Sequence, residues 1–163
     1  MKKFCALALV ILLVTPVLAQ DADSARSVDF GARAGMTFNP DQVHLGAHAD
    51  LGFVLDSIRF VPNFEIGFGE DLTVMSLAGD LIYDLEDKPF SLGAELALIH
   101  TELDVELPPG VDLDGDDSTD DLGLSVLGNY RLALSNGKIL TLEAKVGVVD
   151  APDFKATVMY NLF

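Results

Sequence analysis

From Val28 to Leu162 the chain alternates apolar and polar side chains with period two, the signature of a strand with one face in each of two environments. Val28, Phe30, Ala32, Ala34, Met36 and Phe38 share one parity, opposite Asp29, Gly31, Arg33, Gly35 and Thr37. Val43 to Leu55 follows suit, with His44, His48, Asp50, Val54 and Asp56 on its other face. Ile58, Phe60, Pro62, Phe64, Ile66 and Phe68 oppose Arg59, Val61, Asn63 and Glu65, with Pro62 weakening the strand locally. Met75, Leu77, Leu81, Tyr83 and Leu85 oppose Val74, Ser76, Ala78, Asp80, Ile82 and Asp84, a less pure segment. Phe90 to Leu98 alternates against Ser91, Glu95, Ala97 and Ile99, and Leu122 to Leu134 against Ser125, Asn129 and Arg131, with Leu127 and Gly128 as exceptions. Leu140 to Val148 opposes Thr141, Glu143 and Lys145, and Phe154 to Leu162 opposes Lys155, Thr157, Met159 and Asn161. Eight strands are predicted, each near the roughly 9 to 11 residues that a tilted membrane-spanning strand requires.

The connections alternate in kind. Asp56-Ser57, Glu86 to Pro89, and Ser135 to Lys138 are tight turns, the last carrying the hairpin signal Asn136-Gly137. Between them fall Asn39 to Gln42, Glu70-Asp71, the long stretch from Leu103 to Asp120, and Asp150 to Asp153. Short turns on one side and longer loops on the other is the bacterial outer-membrane arrangement, with both termini and the tight turns in the periplasm.

The first 19 residues read as a secretory signal peptide: Lys2-Lys3, an apolar run from Ala6 to Val14, and small residues at Val17 and Ala19 before the cut. Residues 20–163 then form a single domain, and Cys5 leaves with the leader. Half of all residues are hydrophobic. Beyond the leader no apolar run approaches the roughly 20 residues of a spanning helix, so entry into a bilayer requires strands. Net charge is −16; losing Lys2 and Lys3 takes the basic count from 10 to 8 against 26 acids, or −18 after cleavage, which excludes nucleic acid as a partner.

These segments and turns resemble the small eight-stranded outer-membrane barrels of the OmpA and OmpX type, and the resemblance covers the whole mature sequence as pattern rather than motif. It implies an all-β, antiparallel, up-and-down transmembrane barrel in the cell outer membrane. It also implies insertion by the barrel-assembly machinery, which reads a final strand ending in an aromatic residue. The chain closes on Tyr160-Asn161-Leu162-Phe163 as that insertion signal, although Tyr160 stands three residues before Phe163 where two is usual.

Alternation alone leaves open whether the apolar face meets lipid or lines a cavity, so a soluble lipocalin-like periplasmic carrier of an apolar ligand is the competing reading. Two features favour lipid. The aromatic side chains would overfill an eight-stranded interior, and the opposite face, rich in Gly, Ala, Ser and Thr, suits a narrow polar lumen. No basic residue takes the lipid parity, where one at midplane costs about 2 to 4 kcal/mol. Asp29, Arg33, Asp50, Arg59, Glu65, Asp80, Glu95, Arg131, Glu143 and Lys145, with Lys155, take the inward parity as an expected charge network plugging the lumen. A small channel is the third reading.

The stretch Asp112 to Asp121 is dense in carboxylates, and Asp112, Asp114, Asp116 and Asp120 form a weak calcium candidate; otherwise no cofactor is expected. It is not an EF-hand, since Gly115 stands at position four and no Glu closes the set. His44 and His48 lie about 13 Å apart along a strand and cannot share an ion. His100 and Glu102 sit on the lipid parity near the outer strand end, where some lipid A deacylases place a His, Ser and Glu set. No serine of suitable parity is expected nearby, so no enzymatic activity is expected. The expected role is structural or interactive: a monomer contacting outer-membrane lipid, and lipopolysaccharide through divalent bridges or cationic groups, because the external loops carry about half of the acids and no Lys or Arg.

Overall fold

The computed structural model describes residues 28–103 and 118–162. The proposed leader, most of the acidic loop and Phe163 lie outside them. The described chain forms β1 (Asp29–Phe38), β2 (Gln42–Asp50), β3 (Phe53–Leu55), β4 (Ile58–Phe68), β5 (Leu72–Asp84), β6 (Phe90–Leu103), β7 (Ser118–Ala133), β8 (Ile139–Val149) and β9 (Phe154–Asn161). Every pairing is antiparallel. β1 pairs with both β2 and β9, and β2 and β3 both pair with β4, so the nine segments close an eight-stave up-and-down barrel.

The register can be followed once around. His100 lies opposite Met75, then Ile66, Leu45, Ala34, Val158, Leu142 and Tyr130, and the ladder returns to β6 at Phe90. The stagger is the 10 residues between positions 100 and 90. About 33 Å of stagger against about 38 Å measured perpendicular to eight staves inclines them by about 41°. Each residue then climbs about 2.5 Å along the axis, so His100 stands about 25 Å above Phe90.

Parity survives the whole circuit. The described aromatic side chains all point outward, Phe30, Phe68 and Phe90 remaining more than half exposed, while Arg33, Glu65, Asp80, Glu143 and Lys145 are buried inside. Phe30, Phe60, Tyr83, Phe90, Tyr130 and Tyr160 ring the tight-turn end. Phe38, Phe68 and Phe154 ring the loop end about 20 Å above. Within these girdles Phe90 meets Tyr130 at 4.8 Å between ring centroids and Phe38 meets Phe154 at 5.8 Å. Between them the outer surface is apolar, mostly Leu, Val and Ala with Met36, Pro62, Phe64 and Ile66.

Two elements depart from expectation. The second predicted strand is broken after Asp50: Pro62 on β4 has no N–H to donate, the β2–β4 ladder stops at His48 opposite Asn63, and Gly52 turns with φ +76° before β3 resumes. Pro62 thus occupies a place where no ladder bond is lost. β6 and β7 also run further than alternation suggested, to Leu103 and from Ser118, because Ile99 to Glu102 pair with Ser118 to Asp121. The Asn136-Gly137 turn forms as expected, Gly137 at φ +79° and the Asn136 side chain accepting from the Lys138 N–H at 3.0 Å.

Candidate functional site: the layered lumen

Residues of alternate parity from all eight staves converge inside a cylinder barely wide enough for side chains, and they sort by height into layers. At the tight-turn rim, Arg59 binds Asp50 and Asp84, the latter through Nε at 2.7 Å, and Arg131 reaches Asp84 at 3.2 Å. Asp29 sits beside Asp50 in register but stands outside this cluster. Above the rim Val61, Ile82 and Leu127, each at most 4% exposed, form an apolar cluster, and Met159 is buried as well.

The central layer holds the other charges. Arg33 spans Glu65 at 2.6 Å and Glu143 at 2.5 Å, and its second amine lies 3.7 Å from Asp80. Lys145 binds Glu95, reaches both oxygens of Asp80 at 3.1 and 3.2 Å, and lies 3.3 Å from Glu143. Lys155 binds the remaining oxygen of Glu65. The inward charges inferred from parity therefore divide between two clusters: Arg33, Glu65, Asp80, Glu95, Glu143 and Lys145 in one, Asp50, Arg59 and Arg131 in the other.

The histidines are hydrogen-bonded separately. His44 meets the hydroxyls of Thr37 at 3.1 Å and Thr157 at 3.0 Å, and His48 meets the Asn161 side chain at 3.2 Å. Above the central layer opens a narrow recess lined by Thr37, Gln42, Ser76, Ile99, Ser125 and Pro152. The β8–β9 loop folds inward over it. A Cβ on Gly147 would stand 2.4 Å from the Pro152 carbonyl oxygen and 2.7 Å from that of Ala151, so only glycine leaves room for this roof.

The apolar cluster is the part that alternation analysis missed. Its signal was present as impurities: Val61, Ile82 and Leu127 occupy inward parity on three staves, and closure of the barrel packs them into one buried cluster.

The predicted calcium candidate is not assembled among the described residues. Asp112, Asp114 and Asp116 fall outside them, and Asp120 belongs to β7, where it bonds His100 Nδ1 at 2.6 Å. At the same outward corner Glu102 stands 3.4 Å from His100 Nε2. Hydrogen bonds that the imidazole donates to the two carboxylates raise its pKa above the ordinary histidine value, Asp120 contributing most. One expectation is corrected: a serine does stand nearby, since the lengthened β7 places Ser118 opposite Glu102. Both ring nitrogens of His100 face carboxylates, so neither is placed to take a hydroxyl proton. Of the insertion signal, Tyr160 is an outward residue opposite Ala32 and Phe163 lies beyond the described chain.

No family model and no curated protein matches the sequence. Solved structures do match in fold. The crystal structure of Neisserial surface protein A aligns over 83% of this chain and 96% of its own, at 18% identity and a TM-score of 0.56. The outer membrane protein Ail of Yersinia pestis, determined in a phospholipid bilayer nanodisc, aligns over 83% and 100%, at 7% identity and 0.50. The N-terminal β-barrel domain of Pseudomonas aeruginosa OprF aligns over 84% and 98%, at 12% identity and 0.50. The chain has the closed, eight-stranded antiparallel barrel fold that these three proteins share.

Proposed function

We propose that this protein is an integral outer-membrane barrel whose lumen is plugged and whose acidic outer end contacts the cell surface. The observation that carries the reading is the outward belt: apolar side chains over about 20 Å between two aromatic girdles, with every strand Arg and Lys turned inward. That height is close to the roughly 25 Å apolar band of outer-membrane barrels, and in water such a continuous surface would drive association. Two of the structural neighbours are named as an outer membrane protein and a surface protein, which agrees with this location.

The lumen supports a structural role over transport. A small hydrated ion would have to cross the Val61, Ile82 and Leu127 cluster and two charge clusters, and an apolar ligand finds Arg33 and Lys145 where a carrier would need a greasy cavity. Outside, Asp41, Glu70, Asp71, Glu102, Asp120, Asp150 and Asp153 gather at the loop end with no Lys or Arg in the connecting loops, which favours divalent bridges to lipopolysaccharide phosphates or cationic partners.

The test is fractionation followed by electrophoresis with and without boiling. Recovery with detergent-extracted membranes and a heat-dependent mobility shift are expected; release with the periplasmic contents would refute the reading. Binding to lipopolysaccharide that is indifferent to salt and to chelator would remove the surface role and leave the barrel standing.

A further inference from the structure

At the loop end a shallow pocket opens on the outer surface between the β1–β2 and β4–β5 turns, lined by Met36, Phe38, Asp41, Val43, Phe68 and Glu70. Its walls follow from the register. Met36 lies opposite Val43 and Val43 opposite Phe68, so the three stand side by side on neighbouring staves. The short Val43 leaves a trough between two longer side chains about 10 Å apart. Phe38 continues one wall upward, its far side closed by Phe154 at 5.8 Å between ring centroids. The two turns abut at the top, where a Cβ on Gly69 would stand 3.1 Å from the Asp41 carbonyl oxygen. Met36, Phe38, Val43 and Phe68 nevertheless keep 45 to 54% of their surface open, so no described part of the chain covers the trough.

Two chemistries meet at this place. The floor runs from Val43 to Leu45 straight into the apolar belt, while the exposed carboxylates of Asp41 and Glu70 border the upper end. Among the described residues no ion pair takes up either carboxylate, and neither turn contains Lys or Arg. A matching occupant is therefore apolar below and cationic above. A hydrated divalent ion would suit the carboxylates and leave the rings facing water. An organic ammonium uses both, because the ring faces attract it electrostatically and the carboxylates accept its N–H groups. We infer that the pocket binds the primary ammonium headgroup of a membrane lipid, whose acyl chain lies along the trough on β2. The inference rests on the outward belt meeting lipid, and it names the cationic partner of the acidic outer end.

Native mass spectrometry of the folded protein, released from non-ionic detergent micelles, tests it. The micelles carry equal amounts of phosphatidylethanolamine, its N-acetylated form and phosphatidylglycerol, all with the same acyl chains. Phosphatidylethanolamine should be retained about fivefold or more over the other two. Asp41→Asn combined with Glu70→Gln should abolish that preference, and Phe68→Leu, which keeps the trough apolar, should reduce it. All three positions are exposed, and the heat-dependent mobility shift of the same samples reports that the barrel is intact. Equal retention of the amine and its acetylated form, or a preference untouched by the double variant, would overturn the inference. Retention of phosphatidylglycerol that requires magnesium and disappears with chelator would assign the carboxylates to a divalent bridge and equally overturn it. An intact heat shift without amine preference removes the pocket alone, whereas loss of the shift in wild-type protein removes the barrel reading beneath it.

Discussion

Val126 sits on β7 near the middle of the outward belt, half exposed, opposite Ala94 on one side and Val146 on the other. Counting along the tilted staves at about 2.5 Å per residue, it lies about 13 Å above Phe90, midway between the girdles. If that surface meets acyl chains, Val126→Arg places a guanidinium at midplane and costs about 2 to 4 kcal/mol. That is roughly a 30- to 800-fold fall in the folded-to-unfolded ratio, since about 1.4 kcal/mol is tenfold. The same change at Val148, about 8 Å higher and near the upper girdle, should cost about 0 to 1 kcal/mol. Denaturant titration of protein folded into phosphatidylcholine vesicles, followed by tyrosine fluorescence or by the unboiled gel band, reads both values. On a water-exposed wall each substitution would fall within about 0.5 kcal/mol of zero. Equal small costs at the two depths would refute the lipid-facing belt.

Inside, Arg33→Ala strips Glu143 and Glu65 of their shared partner and should destabilise by about 3 to 5 kcal/mol in the same titration. Ile82→Ala opens the apolar cluster, with an expected cost of about 2 to 5 kcal/mol; planar-bilayer recording should show higher small-ion conductance than wild type, and unchanged currents would mean that the charge clusters alone block the lumen. Gly147→Val forces the roof formed by Ala151 and Pro152 away, and an overpacking cost of about 1 to 3 kcal/mol is expected, with faster proteolysis at 150–153 and an intact heat shift. His100, at the outer corner just beyond the belt, should titrate above 6.5 by nuclear magnetic resonance, and Asp120→Asn should bring it down. Its folded value is raised, so the stability it adds is fully present below 6.5 and is lost as pH rises through the raised value.

Period two made the wall legible, because a residue on the wrong parity would put charge in the belt or an aromatic ring in the lumen, and both are costly. The same parity put the strand charges together on one face. It could not sort them by height, since height depends on the stagger between strands far apart in sequence. Arg59 and Arg33 look alike in an alternating string, yet one belongs to the rim and the other to the centre. Val61, Ile82 and Leu127 read as blemishes one strand at a time and become a cluster only when three registers are laid side by side. The break at Gly52 was hidden for a similar reason, its cause being Pro62 on the neighbouring strand. Ser118 was read as loop because its own stretch does not alternate; its partner is Glu102 on β6.

Arg33 and Glu143 are separated by 110 positions, and Lys145 and Asp80 by 65. Neither bond lies within one hairpin, and Arg33 reaches Glu143 only across the seam where β1 meets β9. That pair acts as a clasp across the seam: it is absent until the cylinder shuts, so opening the wall there forfeits a buried ion pair as well as the ladder bonds.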